Sequence, residues 1–216
     1  GLKAMTQTKR LTKQELRRIN LRWIWNSQIG WNYERMQGLG YLTTMLPLIE
    51  KLYGDQPALK KKALQAHSVF FNTTPAMGDI IVGMNVAIEE EMQENGAGID
   101  VASSMKTALM GPLSGIGDSI FWGTLRTIGL GVGISFCMQG NILGPILFLL
   151  IHNIPHWFVR YKGLQVGYEQ GLSFMENATE GGMLETFSMA AKMLGATVVG
   201  CMIATMINFT TTITLN

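Results

Sequence analysis

Charge is what this sequence has least of. Only 15% of its 216 residues are Asp, Glu, Lys or Arg, where about a quarter is usual for soluble domains. Residues 127–159 contain no charged side chain at all, and neither do residues 193–216. A helix that long in water needs a hydrated face, so the deficit points to a bilayer. Cysteine is scarce as well. Cys137 and Cys201 each lie in an apolar segment without CxxC or CxxxH spacing, which argues against a disulfide framework and against a zinc site. The first thirty residues lack the apolar core of a secretory signal and are arginine-rich and amphipathic instead, so insertion is expected to depend on internal spans. Neither a zinc, RNA-recognition nor helix-turn-helix pattern accompanies the basic amino end, which speaks against nucleic acid as a partner.

What is present begins with that basic end. Seven cations (Lys3, Lys9, Arg10, Lys13, Arg17, Arg18 and Arg22) face the single acid Glu15, the bias expected of a cytoplasmic terminus ahead of membrane spans. Thr12 and Glu15 have capping-box spacing, with Leu11 and Leu16 as a hydrophobic staple, so a helix is predicted to start there. Leu16, Ile19 and Trp23 share one face while the arginines take others. That pattern describes a helix lying on an anionic lipid surface, or one packed against a protein partner. Trp23, Trp25 and Trp31 favour the interface. A second amphipathic helix is expected over residues 31–54, bent near Pro47, and a third from Pro57 through Lys60, Lys61 and Lys62. A lone histidine, His67, reads as an ordinary surface or interface residue.

The expected fold is all-α and multi-spanning: amphipathic amino-terminal helices over residues 1–68, then a membrane transport region over 69–216. Two similar stretches, NTTPAMGDII and MGPLSGIGDSIFWGTLR, each set Pro and Gly before an aspartate and an apolar run. They suggest re-entrant or broken helices at 72–81 and 110–120. About three spans are predicted, at 120–138, 142–159 and 193–213. Gln139, Gly140 and Asn141 turn between the first two, and Arg160, Lys162, Trp157 and Tyr161 anchor the end of the second. Glu89, Glu90 and Glu91 read either as a solvated helix end or as one acid turned towards a polar site. Gly163, Gly167 and Gly171 recur every fourth residue and lay a smooth stripe on one helix face, fit for a close helix contact or for flexibility.

Asp79 and Asp118 are the most diagnostic residues, because an aspartate at the middle of a spanning helix costs ~2.5 to 3.5 kcal/mol on insertion scales. Each could cap the helix that follows, and each could accept hydroxyl protons from a sugar. Asn72, Thr73, Thr74 and Ser114 add neutral hydrogen-bonding groups nearby, and Trp122 offers an aromatic face for stacking or for ordinary packing. The run Gly115, Ile116, Gly117, Asp118 also spells the GxGD signature of intramembrane aspartyl proteases, with Asp79 as the second carboxylate; the tyrosine-aspartate partner motif is absent. His152 and His156 have i, i+4 spacing, but Pro155 lies between them and no acidic third ligand is near, so neither a metal nor a cofactor is expected.

The blocks WNYERMQ (31–37), NTTPAMGDIIVGMNVAIEEE (72–91) and GPLSGIGDSIFWGTLR (111–126) strongly resemble the IID subunit of the mannose-family sugar phosphotransferase system, and the resemblance covers nearly the whole chain. It implies a multi-pass component of a bacterial cytoplasmic-membrane permease that assembles with a similarly folded IIC subunit as a hetero-oligomer. Together they would move a hexose such as mannose or glucose by an elevator-like motion while cytoplasmic IIAB delivers phosphate. The family's IID subunit is not itself phosphorylated, which makes it a transport component and not an enzyme, and its members serve as docking sites for bacteriocins and some phages. Such chains are usually longer, with a further membrane-associated region. A purely structural scaffold, with IIC holding every sugar contact, is the remaining alternative.

Overall fold

Helix N-terminal signals in the sequence translate directly into elements. The computed structural model describes residues 10–177, and every regular element among them is helical. Helix α1 (Lys13–Asn26) starts at the Thr12 capping box: Thr12 Oγ1 accepts from the Glu15 amide at 3.3 Å, and Glu15 Oε2 accepts from the Thr12 amide at 2.7 Å. Lys51 adds an ion pair to the same carboxylate at 2.7 Å. Lys51, the Thr12 amide and the Thr12 hydroxyl, which donates to the same Oε2 at 2.8 Å, hold the Glu15 carboxyl down at about 2, below its ordinary 4.5. Because the folded value is the depressed one, the stabilisation is present above about pH 4.5 and is lost as pH falls towards 2. Glu15→Gln should therefore lower stability by about 0.5 to 1 kcal/mol at pH 7, discounted for the solvent around this exposed pair. Melting curves of the two chains should converge between pH 4.5 and 2; a constant gap would disprove the assignment.

Helix α2 (Gly38–Tyr53) begins later than residue 31. The reason is Asn32, whose side-chain oxygen accepts from the Glu34 and Arg35 amides and offers the backbone a turn in place of a helix. Met36 takes a positive φ of 50° in the same loop. Helix α3 (Pro57–His67) starts with Pro57 in its first turn, as the sequence predicts. Helix α4 (Pro75–Glu91) is the centre of the molecule: from Ala76 to Glu90 every residue except Ile80 is buried. It packs between α7 (Leu143–Asn177) on one side and α5 (Ala97–Gly117) on the other, while α1 and α2 close over it.

The two expected helix breaks take a different form. At 72–81 the chain is extended up to Thr74, and Pro75 opens α4 instead of interrupting a helix. At 110–120 there is no turn. Helix α5 runs through Pro112 and widens into a π-helical segment over Asp118–Leu125, then resumes as α6 (Arg126–Cys137). Pro112 lacks the amide that would reach the Ala108 carbonyl, yet the helix continues through it. Asp100 lies in the first turn of α5 and pairs with Lys62 at 2.6 Å.

The run Glu94–Cys137 is a single helical stretch of 44 residues, and among the described residues it is the one long and apolar enough to cross a membrane. The turn expected at Gln139 to Asn141 is present, with Gly140 at φ 69°. There α7 turns back along α6, Gly133 meeting Gly144 and Gly129 meeting Phe148. Helix α7 continues to Asn177, well beyond residue 159. The outer face of this hairpin exposes Ile128, Leu130, Ile134, Ile146, Leu149, Leu150, Ile154 and Phe158, a band far wider than a soluble monomer tolerates. The third expected span, 193–213, lies outside the described residues.

The glycine stripe resolves as a helix seam. Gly163, Gly167 and Gly171 are all buried against Ala76, Ile80, Met84 and Ala87 of α4, while Gly83 of α4 meets the backbone of Leu164 and Tyr168. The two helices approach backbone to backbone, as small residues permit.

Candidate functional site

Polar residues inside this apolar bundle fall into separate groups, each built by a different set of helices. The first sits where the start of α4 touches the π-helical segment. Asp118 Oδ1 accepts from the Thr74 hydroxyl at 2.6 Å, and the Ser114 hydroxyl lies 3.5 Å from Asp118 Oδ2. Gly117 is packed so tightly on Thr74 that a Cβ would collide with its side chain, which explains a glycine beside the aspartate. Thr74 is buried whereas Asp118 is exposed, so its carboxylate keeps one side for an external partner. One turn on, Trp122 is 51% exposed, with the Arg126 guanidinium 5.1 Å from its ring centre and His152 of α7 at 5.8 Å. An exposed indole beside a carboxylate on a π-helix is an arrangement suited to a polyhydroxyl ligand, and π segments are frequent at functional sites.

Of the expected site residues, the fold thus gathers Thr74, Ser114 and Asp118, with Trp122 adjoining. Thr73 is buried and tied elsewhere: the Gln37 amide donates to its carbonyl at 2.8 Å and Gln37 Oε1 accepts from its amide at 3.2 Å. Asn72 is exposed.

Asp79 belongs to the second group and caps nothing, since Thr74 holds the N-cap position of α4. It is fully buried, accepting from the Asn20 amide of α1 at 2.8 Å, with Arg160 of α7 at 3.5 Å. Arg160 also donates to the Ser27 hydroxyl at 3.1 Å and the Trp23 carbonyl at 3.2 Å. The expected anchoring of a span end by Arg160 is therefore corrected: its guanidinium is turned inward, where three helices need a shared charged strut. Trp23 is corrected likewise. It has no exposed surface, donates from its indole to the Pro75 carbonyl at 2.9 Å and packs on Gly78, so α4 and not lipid covers it. No hydrogen bond joins Asp79 to Asp118, and their different partners leave no pair of carboxylates to share a proton as an aspartyl protease requires.

The third group is a sealed polar knot beneath α2 and α3. His67 Nε2 and Glu89 Oε1 are 2.6 Å apart with both side chains wholly buried. Lys106 Nζ donates to the Ala66 carbonyl at 3.0 Å and lies 4.7 Å from the centre of the Tyr41 ring, whose hydroxyl accepts from Asn85 at 2.5 Å. His67 is not a surface residue because α3 delivers it directly over Glu89. Nor is the acidic run a solvated end: Glu89 and Glu90 are buried, and Glu90 accepts from the Leu11 amide and the Tyr168 hydroxyl, both at 2.5 Å. Only Glu91 is exposed, paired with Arg10. Sequence reasoning missed this knot, although Lys106, a cation within an otherwise apolar helix, was a usable signal.

His152 and His156 stack with ring centres 6.1 Å apart, between Phe148, Trp122 and Phe121. Among the described residues no group of three or more His, Cys, Asp and Glu is placed to hold a metal ion.

Comparison with known proteins gives a consistent picture. Residues 10–216 match the family model described as the mannose/fructose/sorbose family IID component of the PTS system. The mannose-specific EIID component of Escherichia coli K12 is 38% identical over 203 residues, spanning 92% of this chain and 70% of that one. The fructose permease IID component of Bacillus subtilis is 40% identical over 203 residues, with 93% and 72% covered. The sorbose-specific EIID component of Klebsiella pneumoniae is 40% identical over 181 residues, with 82% and 64% covered. Among solved structures, a chain of the complex of the mannose transporter ManYZ with microcin E492 superposes with a TM-score of 0.77 at 38% identity, covering 89% of this chain and 70% of that one.

Proposed function

The chain belongs to the IID components of the mannose/fructose/sorbose family of the phosphotransferase system, membrane components of sugar transport and not catalytic ones, and on that premise we propose that it works with a IIC subunit to bind and translocate a hexose of the mannose or glucose type. Cytoplasmic IIAB phosphorylates the sugar, and this chain takes no phosphate itself. Its three histidines support that division of labour. His67 is sealed, and His152 and His156 lie within the apolar hairpin, away from a water-soluble phosphocarrier. The chain resides in the bacterial cytoplasmic membrane, crosses it more than once, with the α6–α7 hairpin inserted, and keeps its basic amino end in the cytoplasm against anionic lipid. The bacteriocin in the neighbouring ManYZ complex supports a second role as a docking surface.

The observation that carries the sugar reading is the half-free Asp118 carboxylate, held by Thr74 at 2.6 Å and flanked by exposed Trp122. Asp118 accepts sugar hydroxyls, Thr74 and Ser114 orient it, and Trp122 stacks on the ring. Asp118→Asn in cells carrying the whole transporter should cut hexose uptake at least tenfold while leaving insertion and co-purification with IIC intact. Unchanged uptake would favour a scaffold role instead, a reading also supported by Asp79, Arg160 and Glu89, all committed to internal struts. Trp122→Ala should raise the KM for uptake about 3- to 10-fold with little change in maximal rate, the loss of one stacking contact of ~0.5 to 1.5 kcal/mol; an unaltered KM would remove Trp122 from the site.

A further inference from the structure

A groove of ≈ 600 Å³ runs between α1 and α7, away from Asp118. Its inner lining is mainly apolar, Leu11, Leu16 and Leu164 beside Asn20, whose amide is spent on Asp79, and the exposed Lys13, Arg17 and Lys162 line it as well. All three cations are exposed, and none forms an ion pair among the described residues. The one acid on the rim, Glu169, accepts from the Gln165 amide at 3.0 Å. Its place along α7 is informative. The dense exposed apolar band of α7 thins after Phe158, where Tyr161, Lys162, Gln165 and Glu169 are exposed alongside Val166. The groove therefore opens at the level where hydrocarbon gives way to headgroups.

We propose that this groove is a binding site for one anionic glycerophospholipid, its phosphate held by Lys13, Arg17 and Lys162 and its proximal acyl carbons laid on Leu16 and Leu164. Charge complementarity selects the headgroup, because three exposed cations around one cleft offer charge-assisted hydrogen bonds that a zwitterion only partly exploits. The apolar part of the lining selects a lipid over a soluble phosphate, since every methylene laid on it gains by leaving water. Bound there, the lipid would brace α1 against α7 from the outside, as Arg160, which donates to the Trp23 carbonyl of α1 and to Ser27 at its end, does from within. The proposal rests on the membrane reading above and is independent of the sugar site.

The test uses the purified complete chain with its IIC partner in nanodiscs of equimolar phosphatidylglycerol and phosphatidylcholine, followed by native mass spectrometry. The unaltered complex should retain phosphatidylglycerol preferentially. Lys13→Gln/Arg17→Gln/Lys162→Gln should reduce that retention about tenfold, whereas Arg18→Gln/Lys61→Gln, which removes exposed cations outside the groove, should leave it unchanged. Leu16→Asn should weaken lipid retention, and glycerol phosphate should not displace the lipid. Equal loss in both cation variants, displacement by glycerol phosphate, or a groove already filled by another segment of the complex would each overturn the proposal. Asp118→Asn should keep the lipid, so failure of the sugar reading and failure of this one are told apart.

Discussion

Gly167→Val should prevent the helical core from assembling, with a loss of about 3 kcal/mol or more that registers as lost yield of folded protein. A Cβ at this position would fall closer than 3.0 Å to the backbone of Ile80, and helix backbone cannot step aside as a flexible side chain can. The stripe extends the argument. Gly83 meets Leu164 and Tyr168 backbone from the other side, so Gly83→Val should behave alike, while Gly163→Ala, whose Cβ would reach Asp79 Cβ at 3.0 Å, should cost less. Gly131→Ala provides the contrast. Nothing lies within 4 Å of that position, and the gain in helix propensity is up to about 1 kcal/mol, so the variant should match or exceed the parent. Size-exclusion profiles of the detergent-solubilised complex after stepwise heating would rank the series. If Gly167→Val melted with the parent, the backbone seam between α4 and α7 would be refuted.

The second large effect is expected at Glu89. Glu89→Ala should destabilise the chain by about 3 to 5 kcal/mol, because it leaves His67 without its partner, 2.6 Å away, in a site from which water is excluded. Much of that cost reflects the orphaned group and not the value of the pair. Glu89→Leu/His67→Phe should therefore recover more than half of the loss, since an apolar pair of similar volume leaves no polar group to desolvate. Lys106 sharpens the expectation: with Glu89 gone, its ammonium remains buried on the Ala66 carbonyl and the Tyr41 ring. A heating series as above decides the matter; a single variant within about 1 kcal/mol of the parent would show that the knot contributes little.

The neighbourhood of Asp118 was legible in the chain because local chemistry marks it. A carboxylate just after two glycines in an apolar run is conspicuous, and Ser114, four residues earlier, shares its helix face. Thr74 was named for its nearness to Asp79, yet its hydroxyl serves Asp118, 44 positions away. The turn expected at 110–120 failed because proline and glycine report what a backbone permits. Whether a helix breaks or widens is decided by what packs on it, and here Thr74, from the start of α4, holds the segment through the Asp118 carboxylate.

By itself the sequence determined the start of α1 through Thr12 and Glu15, the start of α3 through Pro57, the turn at Gly140, the apolar length of the hairpin and the glycine period of the seam. These are properties of neighbours along the chain, governed by capping, φ preference and helical repeat. Only the tertiary structure decided that Arg160, Glu89, Glu90, His67 and Trp23 lie inside. Helix α4 is buried almost all round, so no polar face records which of its acids meets a partner, and those partners arrive from α1 and the residues just before it, from α3 and from α7, 22 to 81 residues away. A charge in such a place is stable only with its counterpart, and the counterpart is chosen by packing.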